Sequence, residues 1–163
     1  MPNQEQFVQF INDNDGILFK VSTLYTNSQV DAQDLRQEMI YQLWRSFGSF
    51  SGRSKFSTWM YRVALNTAMV YIKKKKRTIT SGIEIDEKLF QRTDVSDNTE
   101  EQQIEKLYET IKRLNNLERG IIMLYLENKS YDEIGEIIGF TTTNVGTRIS
   151  RIKEKLKKLM QNK

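Results

Sequence analysis

The stretch "SYDEIGEIIGFTTTNVGTRISRIKEKLKKL", residues 130–159, decides the fold of the second half of the chain. Ile134, Ile137 and Ile138 recur at helical spacing and predict a short helix facing a core, with Ser130 placed to cap its start. Gly139 follows, the residue type that takes positive φ at a helix C-terminus without steric penalty. Thr141 or Thr142 then caps a second helix, whose inward stripe is Val145, Ile149, Ile152 and Leu156. Two helices that cross closely need a small residue one turn before the glycine, and Gly135 stands there. The pattern predicts a helix-turn-helix. Away from the stripe lie Thr143, Asn144, Thr147, Arg148 and Arg151, donors suited to base edges and phosphates in a major groove.

Working outward, the rest of the chain reads as helical, because strand-like alternation is scarce and proline occurs only at Pro2. Upstream, "EEQQIEKLYETIKRL" (100–114) sets Ile104, Leu107, Ile111 and Leu114 on one face, and "LERGIIMLYLENK" (117–129) predicts a further helix. In "VDAQDLRQEMIYQLW" (30–44) the stripe is Leu35, Met39, Ile40, Leu43 and Trp44, with Asp31 as N-cap and the helix ending near Gly48. The next helix starts after Ser54 or Ser57, with Phe56, Trp59, Met60, Val63, Thr67 and Val70 turned inward. Its polar Arg62 and Asn66, and the run Lys73, Lys74, Lys75, Lys76 and Arg77, exceed what a purely structural helix needs. A lysine run at a helix end has an ordinary reading too, as a solvated complement to the helix dipole.

Charge is distributed unevenly. Residues 1–78 carry 11 Lys and Arg against 6 Asp and Glu, and residues 103–163 carry 12 against 8. Residues 79–102 carry 2 against 7, lack helical periodicity and are rich in Ser, Thr, Asp and Asn, so they read as a flexible acidic linker. The expected architecture is all-α: two small helical domains on a tether, the second a helix-turn-helix. Two basic modules point to a polyanionic partner, since phosphate neutralisation with counterion release is what such charge does well.

Composition excludes much else. The 163 residues contain no Cys and no His, which removes thiol nucleophiles, imidazole bases, disulfides and the usual zinc ligands. No segment reaches the roughly 18 apolar residues of a membrane span, and the first ten residues lack a signal-peptide pattern, so a cytoplasmic location is expected. A hydrolase or nuclease would need convergent acids, yet the densest acids fall in the linker without metal-like spacing. Neither a catalytic site, a cofactor, a metal nor a small-molecule substrate is expected. An ordinary helix-turn-helix regulator explains the second module but leaves the first without a role.

The segments "INDNDGILFKVSTLY" (11–25), "DAQDLRQEMIYQLWRSFGSFSGRSKFSTWMYRVALNTA" (31–68) and "LERGIIMLYLENKSYDEIGEIIG" (117–139) resemble, in order and spacing, those of extracytoplasmic-function sigma factors. These are the smallest class of bacterial promoter-specificity subunits, and the likeness is strongest to forms common in Bacteroidetes. The resemblance implies that residues 1–78 form sigma domain 2 and residues 103–163 form sigma domain 4. It implies that Asp34, Leu35, Gln37, Glu38, Gln42 and Trp44 dock on the β′ clamp coiled coil of core RNA polymerase, with the β flap as a second contact. A loop of Ser49, Phe50, Ser51, Gly52, Arg53, Ser54 and Lys55 would trap an extruded base of the minus ten element, with Phe50 and Phe56 as apolar supports. Arg62 and Asn66 would face DNA near the melted segment, and Lys73 to Arg77 would hold upstream phosphates. The helix carrying Thr143 to Arg151 would read the minus 35 element, and an anti-sigma factor is implied as a further partner. Two departures from the family pattern stand out. Asn115 occupies a position where many relatives carry proline, and Gly146 one where relatives often carry lysine.

Overall fold

A computed structural model describes residues 3–79 and 100–161, with side chains over 3–76 and 100–161. The chain divides into two helical units, Met1–Gln91 and Arg92–Lys163. Most of the expected linker, 79–102, lies outside the described residues, as does the side chain of Arg77.

In the first unit, α1 (Gln4–Asp13) and α2 (Asp15–Leu24) precede a long α3 (Gln29–Ser46), a 3-10 turn (Phe47–Ser49) and α4 (Phe56–Ile79). Ser28, not Asp31, caps α3: its hydroxyl accepts from the Asp31 N–H at 3.0 Å, which puts Asp31 inside the first turn. An acid is favourable there because the first turn carries the positive end of the helix dipole. Leu18 and Val21 of α2, Leu35, Met39 and Leu43 of α3, and Met60, Ala64 and Ala68 of α4 form the core. Each large aliphatic among them contributes about 1.5–3 kcal/mol by leaving water.

The inward face of α4 departs from the expected stripe. Met60 and Thr67 are buried as expected and Tyr61, Ala64, Leu65 and Ala68 join them, whereas Val70 is 53% exposed. Ala68 faces the core, and a residue two positions beyond it falls about 200° away around the helix, in solvent.

The second unit comprises α5 (Glu100–Ile111), α6 (Asn116–Leu126), α7 (Tyr131–Ile138) and α8 (Thr142–Gln161). Helix α5 therefore starts inside the stretch expected to be linker, with Glu100 and Glu101 complementing its N-terminal dipole. Ile104, expected inward, is half exposed; burial on this segment is confined to Thr110, Ile111 and, beyond the helix, Leu114. Asn115 forms a full capping box with Glu118 at the start of α6, so asparagine supplies by hydrogen bonding the start that proline supplies by its fixed φ. Ile121, Ile122 and Leu124 meet Ile134, Ile137, Val145, Ile149, Ile152 and Leu156 in one core.

Candidate nucleic-acid interface

The turn between α7 and α8 is built by backbone geometry. Ser130 caps α7 by accepting from the Glu133 N–H at 3.1 Å, and Gly139 ends it at φ +94°. The Gly135 carbonyl accepts from both Gly139 and Phe140 N–H groups, at 2.7 and 2.9 Å. A Cβ on Gly135 would lie 2.4 Å from the Phe140 carbonyl oxygen, so the glycine is required by contact with the turn itself. Thr141 caps α8 through the Asn144 N–H at 3.2 Å, and Asp132 of α7 accepts from the Thr142 hydroxyl. The start of α8 is thereby held by two side chains and two carbonyl contacts.

Along α8, Val145, Ile149, Ile152 and Leu156 are buried, while Thr143, Thr147 and Arg151 are exposed. Ser150 shares that exposed face and was missed by sequence reasoning; its spacing from Thr147 was the signal available. Asn144 and Arg148 are partly buried and engaged with each other, Arg148 Nε donating to Asn144 Oδ1 at 3.1 Å. The Arg148 guanidinium also sits 4.5 Å from the Phe140 ring centroid, a cation–π contact from the turn to the helix. Gly146 faces the Tyr131 ring edge, 3.4 Å from a built Cβ, so this position looks toward α7. Farther along, Lys155 reaches Glu118 at 3.0 Å and Lys153 donates to the Tyr125 hydroxyl at 2.7 Å, tying α8 to α6.

In the first unit, the loop after the 3-10 turn is fixed at its ends by aromatic rings. Phe50 packs 5.6 Å from Phe56 and 5.3 Å from Trp59, and the cluster continues through Phe47 and Phe10. Ser49 donates to the Ser46 carbonyl at 2.6 Å. Phe50 is thus an anchor of the loop, turned to the aromatic cluster instead of offering its ring to a base. Between the anchors, Ser51, Gly52, Arg53 and Lys55 are exposed and Ser54 is partly so. Gly52 takes φ +76° with open space around it. On α4, Arg62, Asn66 and Lys73 are exposed on one face that runs along the helix away from this loop, and Val70 joins them at the same helical spacing.

The lysine run is not uniform. Lys73, Lys74 and Lys76 are exposed, but Lys75 folds back to pair with Asp31 of α3 and lies 5.5 Å from the Tyr71 ring centroid. Burial pulls the Lys75 ammonium down, yet the Asp31 hydrogen bond and the charges of Tyr71 and Asp31 outweigh it and hold the group above its ordinary value. That contribution to stability is fully present below the unfolded value of about 10.4 and is lost only as pH rises through the raised folded value. Burial likewise raises the Tyr71 phenol, which donates to Asp34 at 3.1 Å.

On α3, Asp34, Gln37, Glu38 and Trp44 reach solvent, and Gln42 does so in part, donating to Glu38 at 3.1 Å. Leu35 does not: it is wholly buried, so it can only support the face from within. Tyr41 is 53% exposed on the same face and was not anticipated; the buried register Leu35, Met39, Leu43 places residue 41 outside. Trp44 is half exposed with one edge against Phe7 at 5.0 Å.

These two surfaces, a loop-flanked basic helix and a donor-bearing helix-turn-helix, define a two-part nucleic-acid-binding protein. Residues 10–78 match the family Sigma-70 region 2, and residues 104–156 match Sigma-70, region 4. The chain is 32% identical to the ECF RNA polymerase sigma-E factor of Haemophilus influenzae, over 87% of this chain and 82% of that protein. It is 28% identical to the ECF RNA polymerase sigma factor SigW of Bacillus subtilis, over 98% and 91% of the two chains. Among solved structures, the fold matches the sigma factor RpoE in complex with the anti-sigma factor NepR from Bartonella quintana, with TM-score 0.75 and 18% identity over 97% of this chain and 98% of that one. It also matches CnrH in complex with the cytosolic domain of CnrY, with TM-score 0.68 and 19% identity over 98% and 90%. The chain belongs to the extracytoplasmic-function sigma factors, which bind RNA polymerase and direct promoter-specific initiation of transcription. The stand-alone regulator is set aside. Among the described residues no helix is long and apolar enough to cross a membrane.

Proposed function

We propose that the two surfaces divide the work of promoter recognition, with residues 1–78 acting at the minus ten element and residues 103–163 at the minus 35 element, joined by the acidic stretch 79–102. The observation that carries this reading is the alignment of Arg62, Asn66 and Lys73 on one exposed face of α4, a helix that begins where a loop pinned at its ends and exposed in its middle leaves off. Unstacking a base costs a few kcal/mol, so strand separation persists only where a protein traps what it extrudes. Ser51 to Lys55 supply polar and basic groups for that trap, and Lys73, Lys74 and Lys76 hold phosphate upstream.

Docking on core polymerase falls to the outer face of α3, through Asp34, Gln37, Glu38, Gln42 and Trp44, on the β′ clamp coiled coil; the second unit meets the β flap. Tyr41 belongs to the same face. An acidic and aromatic helix face of this kind fits a basic helical partner. An anti-sigma factor is the remaining partner, a reading supported by the complex of the sigma factor RpoE with the anti-sigma factor NepR, whose fold this chain shares. In vitro transcription with core polymerase on a promoter library tests the scheme. Asn66→Ala should lose open complexes while keeping polymerase binding, and Arg151→Ala should lose dependence on the minus 35 element. Absence of any specific transcript with the wild-type chain would overturn it.

A further inference from the structure

Arg148 and Asn144 are both partly buried at the start of α8, and their contact is directional. Arginine Nε carries a hydrogen and can only donate, so the Asn144 atom facing it at 3.1 Å is the amide oxygen. That settles which way the amide points. Phe140 holds the guanidinium from its other side, with the ring centroid 4.5 Å from the guanidinium carbon, and Phe140 is fixed in turn by its N–H bond to the Gly135 carbonyl. The sequence of contacts runs from the glycine turn, through an aromatic ring and a cation, to one side-chain amide.

We propose that Arg148 is a positioning residue that commits Asn144 to act as a donor, so that the base pair met by Asn144 is chosen for an acceptor edge. This rests on the reading of α8 as the minus 35 helix. An unconstrained asparagine prefers adenine, accepting from N6 and donating to N7 in one bidentate contact. Here Arg148 Nε already takes one of the two lone pairs of the accepting oxygen, and the adjacent guanidinium charge repels an amino hydrogen brought to the other. The NH2 group is the end of the amide better placed to meet a base. Guanine presents two acceptors, O6 and N7, whereas thymine offers O4 alone and adenine N7 alone, so guanine leads and adenine loses the bidentate contact that would otherwise favour it.

The test is holoenzyme transcription from a promoter library randomised across the minus 35 element, for wild type, Asn144→Ala, Arg148→Met and Arg151→Ala. Methionine keeps a long stem against Phe140 and removes the Nε donor. Wild type should favour guanine over adenine roughly tenfold at one base pair, the range of a single base-edge contact. Asn144→Ala should flatten that position alone, and Arg148→Met should turn its preference toward adenine. A structural or phosphate-binding role for Arg148 would weaken every sequence equally and leave the preference in place. That result, a wild-type preference for adenine at the Asn144-dependent position, or no position responding to Asn144→Ala overturns the inference. If Arg151→Ala still alters minus 35 preference in those cases, the reading of α8 survives; if wild type shows no minus 35 preference, that reading fails first.

Discussion

The two connectors beside the surfaces proposed to face DNA are made in opposite ways. Between α7 and α8 the turn is short and its geometry is backbone geometry: an αL glycine, a carbonyl bonded twice, and a glycine that must lack a Cβ because the turn lies 2.4 Å from where one would be. Between α3 and α4 the loop is held by side chains at its ends, where Phe50 meets Phe56 and Trp59, and its middle runs exposed through Gly52 with open space around it. A connector closed by backbone contacts presents its helix at one angle, which suits reading a regular duplex. One anchored only at its ends leaves polar side chains able to adapt, which suits an irregular extruded base.

The largest effect should come from filling the tight turn. Gly135→Val drives two methyl groups and a Cβ against backbone that cannot yield cheaply, and overpacking of this kind costs about 2–3 kcal/mol. Both tryptophans, Trp44 and Trp59, lie in the first unit. Urea unfolding followed by far-UV circular dichroism should therefore lose its second-unit component at lower denaturant, while the tryptophan fluorescence transition stays put. A shift of both transitions together would contradict the separation drawn between the connectors.

Next in size is Phe50→Ala, which removes two ring contacts worth about 0.5–1.5 kcal/mol each and frees the loop end. Open-complex formation, followed by permanganate reactivity of unpaired thymines, should fall about tenfold, and a premelted template should restore it. Failure of the premelted template to rescue would show that the loop serves something other than strand capture.

The smallest effect separates lysines that the sequence makes look alike. Lys73→Gln should lower the log–log salt slope of promoter binding by about 0.9, one phosphate contact on duplex DNA. Lys75→Gln should leave that slope nearly unchanged, because its ammonium is already paired with Asp31. Equal losses from both would place Lys75 on DNA and undo the distinction.

Much of the second unit was legible in advance. The cap at Ser130, the αL turn at Gly139, the small residue at Gly135 and the buried stripe Val145, Ile149, Ile152 and Leu156 all follow from local rules, because a tight helix-turn-helix is specified by residues close together in the chain. The first unit was less readable. Leu35, expected both in the buried stripe of its helix and among the docking residues, is core; Val70 was expected in the core and is exposed, and Lys75 was expected at phosphate and pairs with Asp31. The last two depend on how α4 packs against α3, which the hydrophobic pattern of either helix alone does not reveal.

By itself the sequence determined the helical class, the placement of the helix-turn-helix and the family. Those properties are encoded in periodicity, in glycines at required φ, and in motif order along the chain. Tertiary structure alone decided which of several similar polar side chains are already engaged within the protein, because that depends on partners the helical pattern does not name: Asp31 for Lys75 and Tyr71 for Asp34, far away in sequence, and the Phe140 ring across the turn for Arg148.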